Sequence, residues 1–393
     1  MPIPSVTLAQ RLDHVQPSLI REVANVAFAM DGALKLHFGE STMPTPDYIV
    51  DAATQAMHDG YTFYTENAGL PSLRRALAAK YRELHQVELD PAGELLITAS
   101  GVQALNVAIR CAVDPGDEAL VLTPNWPNAT EIVRMYGGVA HEIPFLADGD
   151  RFRIDFAALE AAVNRRTRLL AYTSPSNPLG WVATPAEQQA LLDFCRRHGL
   201  WLLADEVYER LYYGALVAPS ILRLCTRDDA VIAVQSFSKS YCMTGWRLGW
   251  VASRRDLVTK AAQLNEFIIS HAPSMVQRAG EVALARGEDD ISAMLELYQE
   301  RRDFCYAALS SVRSVALTKP DGAFYLFPRI AGMTDSLQFA LNLLRETQVA
   351  VAPGSAFGAG GEGAIRICYA PDMSVLEPAM ERLVRYLENW LIG

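Results

Sequence analysis

The residues best suited to do chemistry lie in one stretch, 236–250, which reads Ser-Phe-Ser-Lys-Ser-Tyr-Cys-Met-Thr-Gly-Trp-Arg-Leu-Gly-Trp. It follows an apolar run, 230–234, that is typical of a buried strand. Lysine is seldom buried unless its charge is paired or its pKa is lowered, and a lowered pKa makes amine chemistry possible. The stretch therefore predicts a reactive amine at Lys239, with Ser236 and Arg247 holding a phosphate beside it.

An acidic cluster, Asp205 to Tyr208, follows another apolar run, 201–204. An unpaired carboxylate at a partly buried position is costly, so Asp205 needs a cationic partner such as a protonated ring nitrogen. Tyr208 can point its hydroxyl into the same space. The alternative, an aspartate that caps the next turn, stays open.

Three weaker clusters also follow apolar runs. In Ser100-Gly101-Val102 the glycine lets the backbone approach a ligand, and the N–H groups of a helix start suit a phosphate, although Ser100 also suits a plain N-cap. Trp126, between two prolines, can stack on a flat heterocycle or pack on the core. Asn177 can donate to a ligand oxygen or belong to an ordinary Asn-Pro turn.

Two further residues extend this set. Arg366 stands among apolar neighbours, which favours either bidentate carboxylate binding or a structural salt bridge. Tyr64 lies in an aromatic loop, where it can reach a phosphate or form part of an interface. The clusters together provide a phosphate cradle, a stacking ring, an acid for a ring nitrogen, donors for a phenolic oxygen and a lysine. Pyridoxal phosphate is the cofactor that asks for all of these.

Apolar runs alternate with amphipathic helical segments through the middle of the chain, a pattern typical of a mostly parallel α/β sheet with helices on both faces. Strands are predicted at 95–98, 119–123, 169–173, 201–204, 231–235 and 248–252, and helices at 102–112, 129–136, 185–198 and 256–269. Ligands of such sheets bind beyond the carboxyl ends of the strands, where the polar clusters fall.

Length and composition predict a globular protein of two domains, since 393 residues exceed one ordinary core and 50% are hydrophobic. We expect an N-terminal arm with part of the small domain at 1–47, a large α/β domain at 48–290 and a small α+β domain at 291–393.

The net charge of −10 argues against a nucleic-acid partner. No apolar run is long enough to span a bilayer, no signal peptide is visible, and the six cysteines form no CxxC pair. We therefore expect a cytoplasmic protein that does not bind a membrane and has no metal site.

The sequence resembles the class I aminotransferases among the fold type I pyridoxal-phosphate enzymes. The resemblance spans nearly the whole chain and is carried by segments 36–40, 64–74, 100–105, 124–128, 177–178, 205–208, 236–249 and 322–325 and by Arg366. It implies the fold type I architecture, a mostly parallel central sheet with a smaller α+β domain, and a homodimer in which Tyr64 reaches the phosphate of the other subunit.

The resemblance also implies a role for each residue. Lys239 forms the Schiff base and acts as catalyst with Asp205 and Tyr208. The phosphate is held by Ser236, Ser238, Arg247 and the backbone of Ser100, Gly101 and Val102. Trp126 stacks on the ring, Asp205 pairs with its nitrogen, and Asn177 and Tyr208 contact its phenolic oxygen. Arg366 binds the substrate α-carboxylate, with Gly39 and Asn177 beside the substrate.

The implied reaction is ping-pong transfer of an amino group between an L-amino acid and a 2-oxo acid. A lyase on the same fold, either a C–S β-lyase or an enzyme like aminocyclopropane-carboxylate synthase, uses the same residues and stays open. A dehydrogenase is disfavoured because the glycine fingerprint is absent. A DNA-binding regulator on this scaffold needs an added domain, which we do not expect before Leu34.

The amino donor stays open at this point. No second arginine is clearly placed for a side-chain carboxylate, which disfavours a dedicated dicarboxylate enzyme. Glu266 and His271, near the predicted site entrance, either influence substrate choice or are solvated residues at a helix end.

Overall fold

The computed structural model describes residues 7–8, 17–148 and 151–390, so the predicted N-terminal arm and the last three residues lie partly or wholly outside the described part. Its helices are α1 (Leu19–Phe28), α2 (Asp47–His58), α3 (Pro71–His85), α4 (Gly101–Ala112), α5 (Asn128–Met135), α6 (Phe156–Ala162), α7 (Pro185–His198), α8 (Phe237–Ser240), α9 (Arg255–Glu266), α10 (Ser274–Arg286), α11 (Glu288–Ser310), α12 (Ser336–Thr347) and α13 (Met373–Trp390). Its strands are β1 (Leu34–Lys35), β2 (Leu95–Thr98), β3 (Glu118–Thr123), β4 (Val139–Pro144), β5 (Leu146–Asp148), β6 (Arg151–Arg153), β7 (Thr167–Thr173), β8 (Trp201–Asp205), β9 (Val231–Ser236), β10 (Gly249–Ser253), β11 (Val315–Ala316), β12 (Tyr325–Leu326), β13 (Arg329–Ile330), β14 (Val349–Ala350), β15 (Ala352–Pro353) and β16 (Ile365–Cys368).

The central sheet has the strand order β2-β10-β9-β8-β7-β3-β4. Its strands are parallel except β10, which pairs antiparallel with both neighbours. The predicted α/β fold with a mostly parallel sheet is therefore confirmed. Strand β4 was not predicted, because its sequence Val-Ala-His-Glu-Ile-Pro lies at an edge and is only partly buried, so it lacks the continuous apolar run.

Helices cover both faces of this sheet, and β3 shows how the residues divide. Leu120 and Leu122 pack in one hydrophobic cluster with residues of α3, α7 and α10. Ala119 and Val121, which point the other way, pack in a second cluster with α4, α5 and α9. This period of two follows from the alternation of side chains along a strand.

A third hydrophobic cluster joins α1, α11, α12 and α13 to the short strands β12, β14 and β16. The small sheet β12-β16-β15 lies in this region, and β1 pairs with β14. The N-terminal segment thus packs with the C-terminal third of the chain. The exact domain boundaries stay a prediction.

Local sequence signals set the ends of several helices, and α7 is the clearest case. Thr184 Oγ1 accepts a hydrogen bond from the backbone N–H of Glu187, whose carboxylate accepts one from the N–H of Thr184. Pro185 occupies the first turn and Gly199 ends the helix in the left-handed region. In the described ranges, no helix is both long and apolar enough to cross a membrane.

Candidate active site

A cleft opens at the edge of the sheet where the parallel strands β2, β3, β7, β8 and β9 end and the antiparallel β10 begins. It is lined by Gly39, Gly101, Val102, Leu105, Trp126, Asn128, Thr173, Asn177, Asp205, Val207, Tyr208, Ser236, Ser238, Lys239, Thr244, Arg247, Tyr325 and Arg366. The sheet therefore brings together the polar clusters that the sequence spreads over more than 300 residues. Two predicted site residues, Ser100 and Tyr64, do not line the cleft.

Lys239 enters the cleft from α8, a single turn that begins directly after β9 and is capped by Ser236. Its Nζ donates a hydrogen bond to the carbonyl oxygen of Gly39 at 2.5 Å. Burial lowers the pKa of Lys239 to about 8, and the positive charges of Arg366 and Arg247 act in the same direction. An appreciable fraction of this amine is thus neutral near neutral pH, the state that a nucleophile or a base requires.

Asp205 is the last residue of β8 and faces the cleft. Within the described chain, its carboxylate accepts one hydrogen bond, from the backbone N–H of Val207 at 3.3 Å, and it forms no ion pair. Burial raises the pKa of Asp205 to about 7, because no cation is present to stabilise the charged form. The cap-like contact is real, but it leaves the carboxylate available to a cationic group of a ligand.

The start of α4 supplies unpaired backbone N–H groups. Ser100 Oγ accepts from the N–H of Gln103 at 3.2 Å, and Ser100 itself has a φ of 111°. The plain N-cap and the ligand role are therefore compatible, since the N–H groups of Gly101 and Val102 come before Ala104, the first residue whose N–H donates to a carbonyl oxygen of the helix. A Cβ on Gly249 of β10 would lie 2.6 Å from the nitrogen of Gly101, so this close approach requires glycine.

The predicted phosphate residues at and after the end of β9 lie at the same edge. Ser236 Oγ is 2.9 Å from Ser238 Oγ. Arg247 is exposed, has a φ of 58° and donates from Nη1 to the carbonyl oxygen of Thr244 at 2.6 Å. Its remaining N–H groups are available to an anion.

Arg366 projects from β16 and is fully buried. Its Nη1 donates to Asn177 Oδ1 at 2.9 Å and its Nη2 to the carbonyl oxygen of His37 at 2.5 Å. Among the described residues it contacts no carboxylate in an ion pair, which argues against the structural salt bridge. Because Asn177 uses its oxygen to accept from Arg366, its amide nitrogen is left to donate.

Aromatic rings surround these polar groups. Trp126 is partly exposed, its ring centroid lies 5.7 Å from Arg366 Cζ, and it also contacts Phe357 at 6.4 Å. The indole thus combines core packing with a face open to the cleft. Tyr208 is buried, and its hydroxyl oxygen lies 2.8 Å from that of Tyr325.

Tyr64 does not line the cleft and is 90% exposed. Its ring meets that of His271 edge-on at 5.8 Å. His271 Nε2 accepts from the backbone N–H of Thr65 at 3.2 Å, so its Nδ1 carries the proton and donates to the carbonyl oxygen of Ala272. His271 therefore ties the loop of Tyr64 to the segment before α10, and neither it nor Glu266 lines the cleft.

Sequence reasoning missed several residues that line the cleft. Tyr325 lies in the run Phe-Tyr-Leu-Phe, which has the appearance of core sequence, although a buried tyrosine hydroxyl usually finds a hydrogen-bond partner. Asn128 and Thr173 stand next to clusters that were singled out, and Leu105 and Val207 carry no chemical signal. Thr244 lies inside the 236–250 stretch without an assigned role.

The chain matches the family model described as aminotransferase class I and II over residues 32–383. The chain belongs to this family. It is 35% identical to a putative aminotransferase, YugH, of Bacillus subtilis, over 97% of this chain and 98% of that protein. It is also 35% identical to an aspartate aminotransferase of Pyrococcus abyssi, over 98% and 99% of the two chains. Its structure matches an aromatic aminotransferase of Pyrococcus horikoshii with a TM-score of 0.88 and 34% identity, over 94% of this chain and all of the other.

The protein is a pyridoxal-phosphate-dependent aminotransferase that acts on an amino acid and a 2-oxo acid. The predicted family, fold, activity and cofactor are confirmed, and nothing in these matches favours the lyase. The cleft itself fits the cofactor by its donor set. It offers a carboxylate without a cationic partner at Asp205, free N–H groups at Gly101 and Val102 for a phosphate, and an amine with a lowered pKa at Lys239.

Proposed function

We propose that this aminotransferase works through the residues of the cleft in the roles that the family resemblance implies. Lys239 is the amine that bonds the cofactor, and Asp205 pairs with its ring nitrogen. The phosphate is held by Ser236, Ser238, Arg247 and the backbone of Ser100, Gly101 and Val102. Trp126 stacks on the ring, Asn177 and Tyr208 donate to its phenolic oxygen, and Arg366, beside Gly39, binds the substrate carboxylate.

The observation that carries this proposal is the environment of Asp205. This carboxylate lines the cleft with one backbone hydrogen bond and has a pKa raised to about 7, so keeping it ionised costs free energy. A cationic ring nitrogen removes that cost. Bound pyridoxal phosphate supplies an electron sink for the carbon that loses its proton.

The remaining chemistry belongs to the chain. Arg366 holds the α-carboxylate through the N–H groups that Asn177 and His37 leave free, which orients the Cα–H bond. Lys239 Nζ, part of which is neutral near pH 7 because burial lowers its pKa to about 8, would be the base that takes the α-proton and the acid that gives it back. Asp205 keeps the ring nitrogen protonated throughout.

We infer a preference for L-amino acids with uncharged side chains, aromatic ones included. Among the described residues, three cationic side chains line the cleft, namely Lys239, Arg247 and Arg366. They are assigned to the cofactor, its phosphate and the substrate α-carboxylate, so no cation is left to bind a carboxylate in the substrate side chain. Trp126 and Tyr325 provide aromatic surface beside the proposed carboxylate site. A structural relative named as an aromatic aminotransferase is consistent with this preference.

The test is a panel of amino donors in single half-reactions, followed by the absorbance of the bound cofactor. We expect phenylalanine, tyrosine and leucine to react with a higher kcat/KM than aspartate and glutamate. A higher kcat/KM for the two acidic donors contradicts the proposed preference but leaves the aminotransferase activity intact. Release of ammonia and pyruvate from a sulfur amino acid without an acceptor would instead favour the lyase.

We propose further that the enzyme is a homodimer in which Tyr64 contacts the phosphate in the other subunit. The supporting observations are its 90% exposure, its absence from the lining of its own cleft and the exposed side chain of Phe63 beside it in the sequence. A cytoplasmic location is part of the proposal, supported by six cysteines that form no disulfide.

A further inference from the structure

The hydroxyls of two tyrosines, Tyr208 and Tyr325, form a hydrogen bond in the cleft. Tyr208 Oη and Tyr325 Oη are 2.8 Å apart, and both side chains are buried. In the described part of the chain this contact is the one hydrogen bond recorded for the Tyr325 hydroxyl. Tyr208 follows β8 whereas Tyr325 begins β12, so the contact joins the central sheet to the small sheet.

The direction of this hydrogen bond follows from the proposed role of Tyr208. If Tyr208 donates its single proton to the phenolic oxygen of the cofactor, it has none left for Tyr325. Tyr325 must then be the donor and Tyr208 Oη the acceptor. Burial raises the pKa of Tyr208, whereas the hydrogen bond from Tyr325 lowers it, so Tyr325 makes Tyr208 a stronger donor.

Tyr325 also contacts the proposed carboxylate site. Its ring centroid lies 4.5 Å from Arg366 Cζ, the shortest of the ring contacts that this guanidinium makes in the described chain. A Cβ at Gly39 would lie 2.0 Å from the Tyr325 hydroxyl, so Gly39 leaves the space that this hydroxyl occupies. The carbonyl of the same glycine accepts the hydrogen bond from Lys239.

We propose that Tyr325 is a positioning residue with two separable functions. Its hydroxyl donates to Tyr208 and so directs the proton of Tyr208 to the phenolic oxygen of the cofactor, while its ring holds the guanidinium of Arg366 for the substrate carboxylate. The inference rests on the proposed role of Tyr208.

Removing only the hydroxyl tests the first function. In the loaded enzyme, a donor on the phenolic oxygen withdraws electrons from Lys239 Nζ, the nitrogen that is bonded to the cofactor, and lowers its pKa. Losing the donor therefore raises the pH at which the cofactor absorbance changes. We expect Tyr208→Phe to raise this pH by about 1–2 units. Tyr325→Phe should raise it by roughly 0.3–0.5 unit, because Tyr208 remains but donates less strongly.

The double variant distinguishes the two proposals. If Tyr325 acts through Tyr208, adding Tyr325→Phe to Tyr208→Phe causes no further change. A titration of Tyr208→Phe that matches the wild type would overturn the role of Tyr208. A shift in Tyr208→Phe with none in Tyr325→Phe would overturn only the inference about Tyr325. The charged or titratable neighbours Asp205, Lys239, Arg366 and Cys368 are unchanged in these variants.

A matched control exists in the same region. Tyr369, which is buried, and Tyr213, which is half-buried, form another tyrosine pair, with hydroxyls 3.0 Å apart and outside the cleft lining. Tyr369→Phe loses this contact and the hydrogen bond from the Tyr369 hydroxyl to the carbonyl oxygen of Ala323, and it should leave the titration unchanged. An equal shift in this control would show that Tyr325→Phe acts through general loosening of the fold.

Removing the ring as well tests the second function. Tyr325→Leu should raise the KM of the amino acid about 10-fold over that of Tyr325→Phe, because a cation–π contact with Arg366 is lost. Equal KM values in the two variants would overturn the role of the ring. Thermal unfolding of both variants establishes that each is folded.

Discussion

Arg366 Nη1 donates to Asn177 Oδ1 at 2.9 Å, across 189 positions of sequence. The contact links the strand β16 of the small sheet to the loop after β7 of the central sheet. It sets the orientation of the Asn177 amide, because the oxygen accepts from arginine and the nitrogen must point elsewhere. The group proposed to bind the substrate carboxylate therefore also orients a group proposed to bind the cofactor.

Arg366→Lys keeps the positive charge but loses the planar fork, so it tests the proposed carboxylate site. We expect KM to rise about 10- to 100-fold for both the amino acid and the 2-oxo acid, as for the loss of one charged hydrogen bond. Steady-state kinetics with both substrates measure this. Arg385→Lys, on an exposed side chain, is the control. A rise for only one substrate would contradict a shared carboxylate site.

Lys239→Ala should abolish turnover, because it removes the amine proposed to bond the cofactor and to move the α-proton. The variant should also lack the absorbance of a lysine-bonded cofactor after reconstitution. Lys260→Ala, on the exposed face of α9, is expected to behave like the wild type. Transamination by Lys239→Ala at near wild-type rate would exclude the assignment.

Asp205→Asn should lower kcat/KM by a factor on the order of 10²–10⁴, as expected when a buried pair loses one charge. In the cofactor-free protein the same change should stabilise the fold at pH 8. The pKa of Asp205 is about 7 in the folded protein, above its ordinary value of 3.8, because burial disfavours the charged carboxylate. Asp205 therefore does not lower the stability of the fold below about pH 4, but it lowers that stability progressively as the pH rises from 4 towards 7. Thermal unfolding of both cofactor-free proteins at pH 4 and pH 8 checks this. A variant no more stable than the wild type at pH 8 would contradict it.

A buried ionic cluster supports the segment that carries Asp205 and Tyr208. Glu209 pairs with Lys80 and with His85, and all three are buried. Burial alone would raise the pKa of Glu209, but these partners outweigh it and lower the pKa to about 2. Lys80→Met should cost about 3–5 kcal/mol in the free energy of unfolding, because it leaves a buried charge without its main partner.

This stability difference should depend on pH with a defined sign. The favourable effect of Glu209 is present above its ordinary pKa of 4.5 and is lost as the pH falls towards 2, so the wild type and Lys80→Met should converge in acid. Denaturant unfolding at pH 7 and pH 3 measures this. Arg385→Met, which breaks a surface pair, should cost less than about 1 kcal/mol. Equal costs for the two variants would contradict the structural role.

Mixed subunits test whether Tyr64 serves the other subunit. A hybrid of Lys239→Ala and Tyr64→Ala subunits contains one site with both residues intact only if Tyr64 acts across the interface. We therefore expect the refolded mixture to exceed the summed activities of the two parent variants. No gain over that sum, with hybrids demonstrated by mass, would place Tyr64 outside the neighbouring site.

Much of the site was predictable from the sequence because its residues follow parallel strands. The apolar runs before Asp205 and Lys239 are local signals, and the rule that ligands bind at carboxyl ends brings such clusters to one edge. The N–H groups of Gly101 and Val102 follow from a strand that turns directly into a helix. The confirmed fold class and family rest on the same pattern and on the specific Ser-Phe-Ser-Lys motif.

The tertiary structure alone decided the relations between distant chain segments. The antiparallel direction of β10, which brings Arg247 to the edge shared with β9, depends on sheet pairing that hydrophobic pattern does not encode. The contacts from Arg366 to Asn177 and from Tyr325 to Tyr208 join residues of different sheets. The spacing of these residues in the sequence therefore does not predict them. Local patterns predicted most of the residues that line the cleft, whereas the packing of the two sheets decided which side chain orients which.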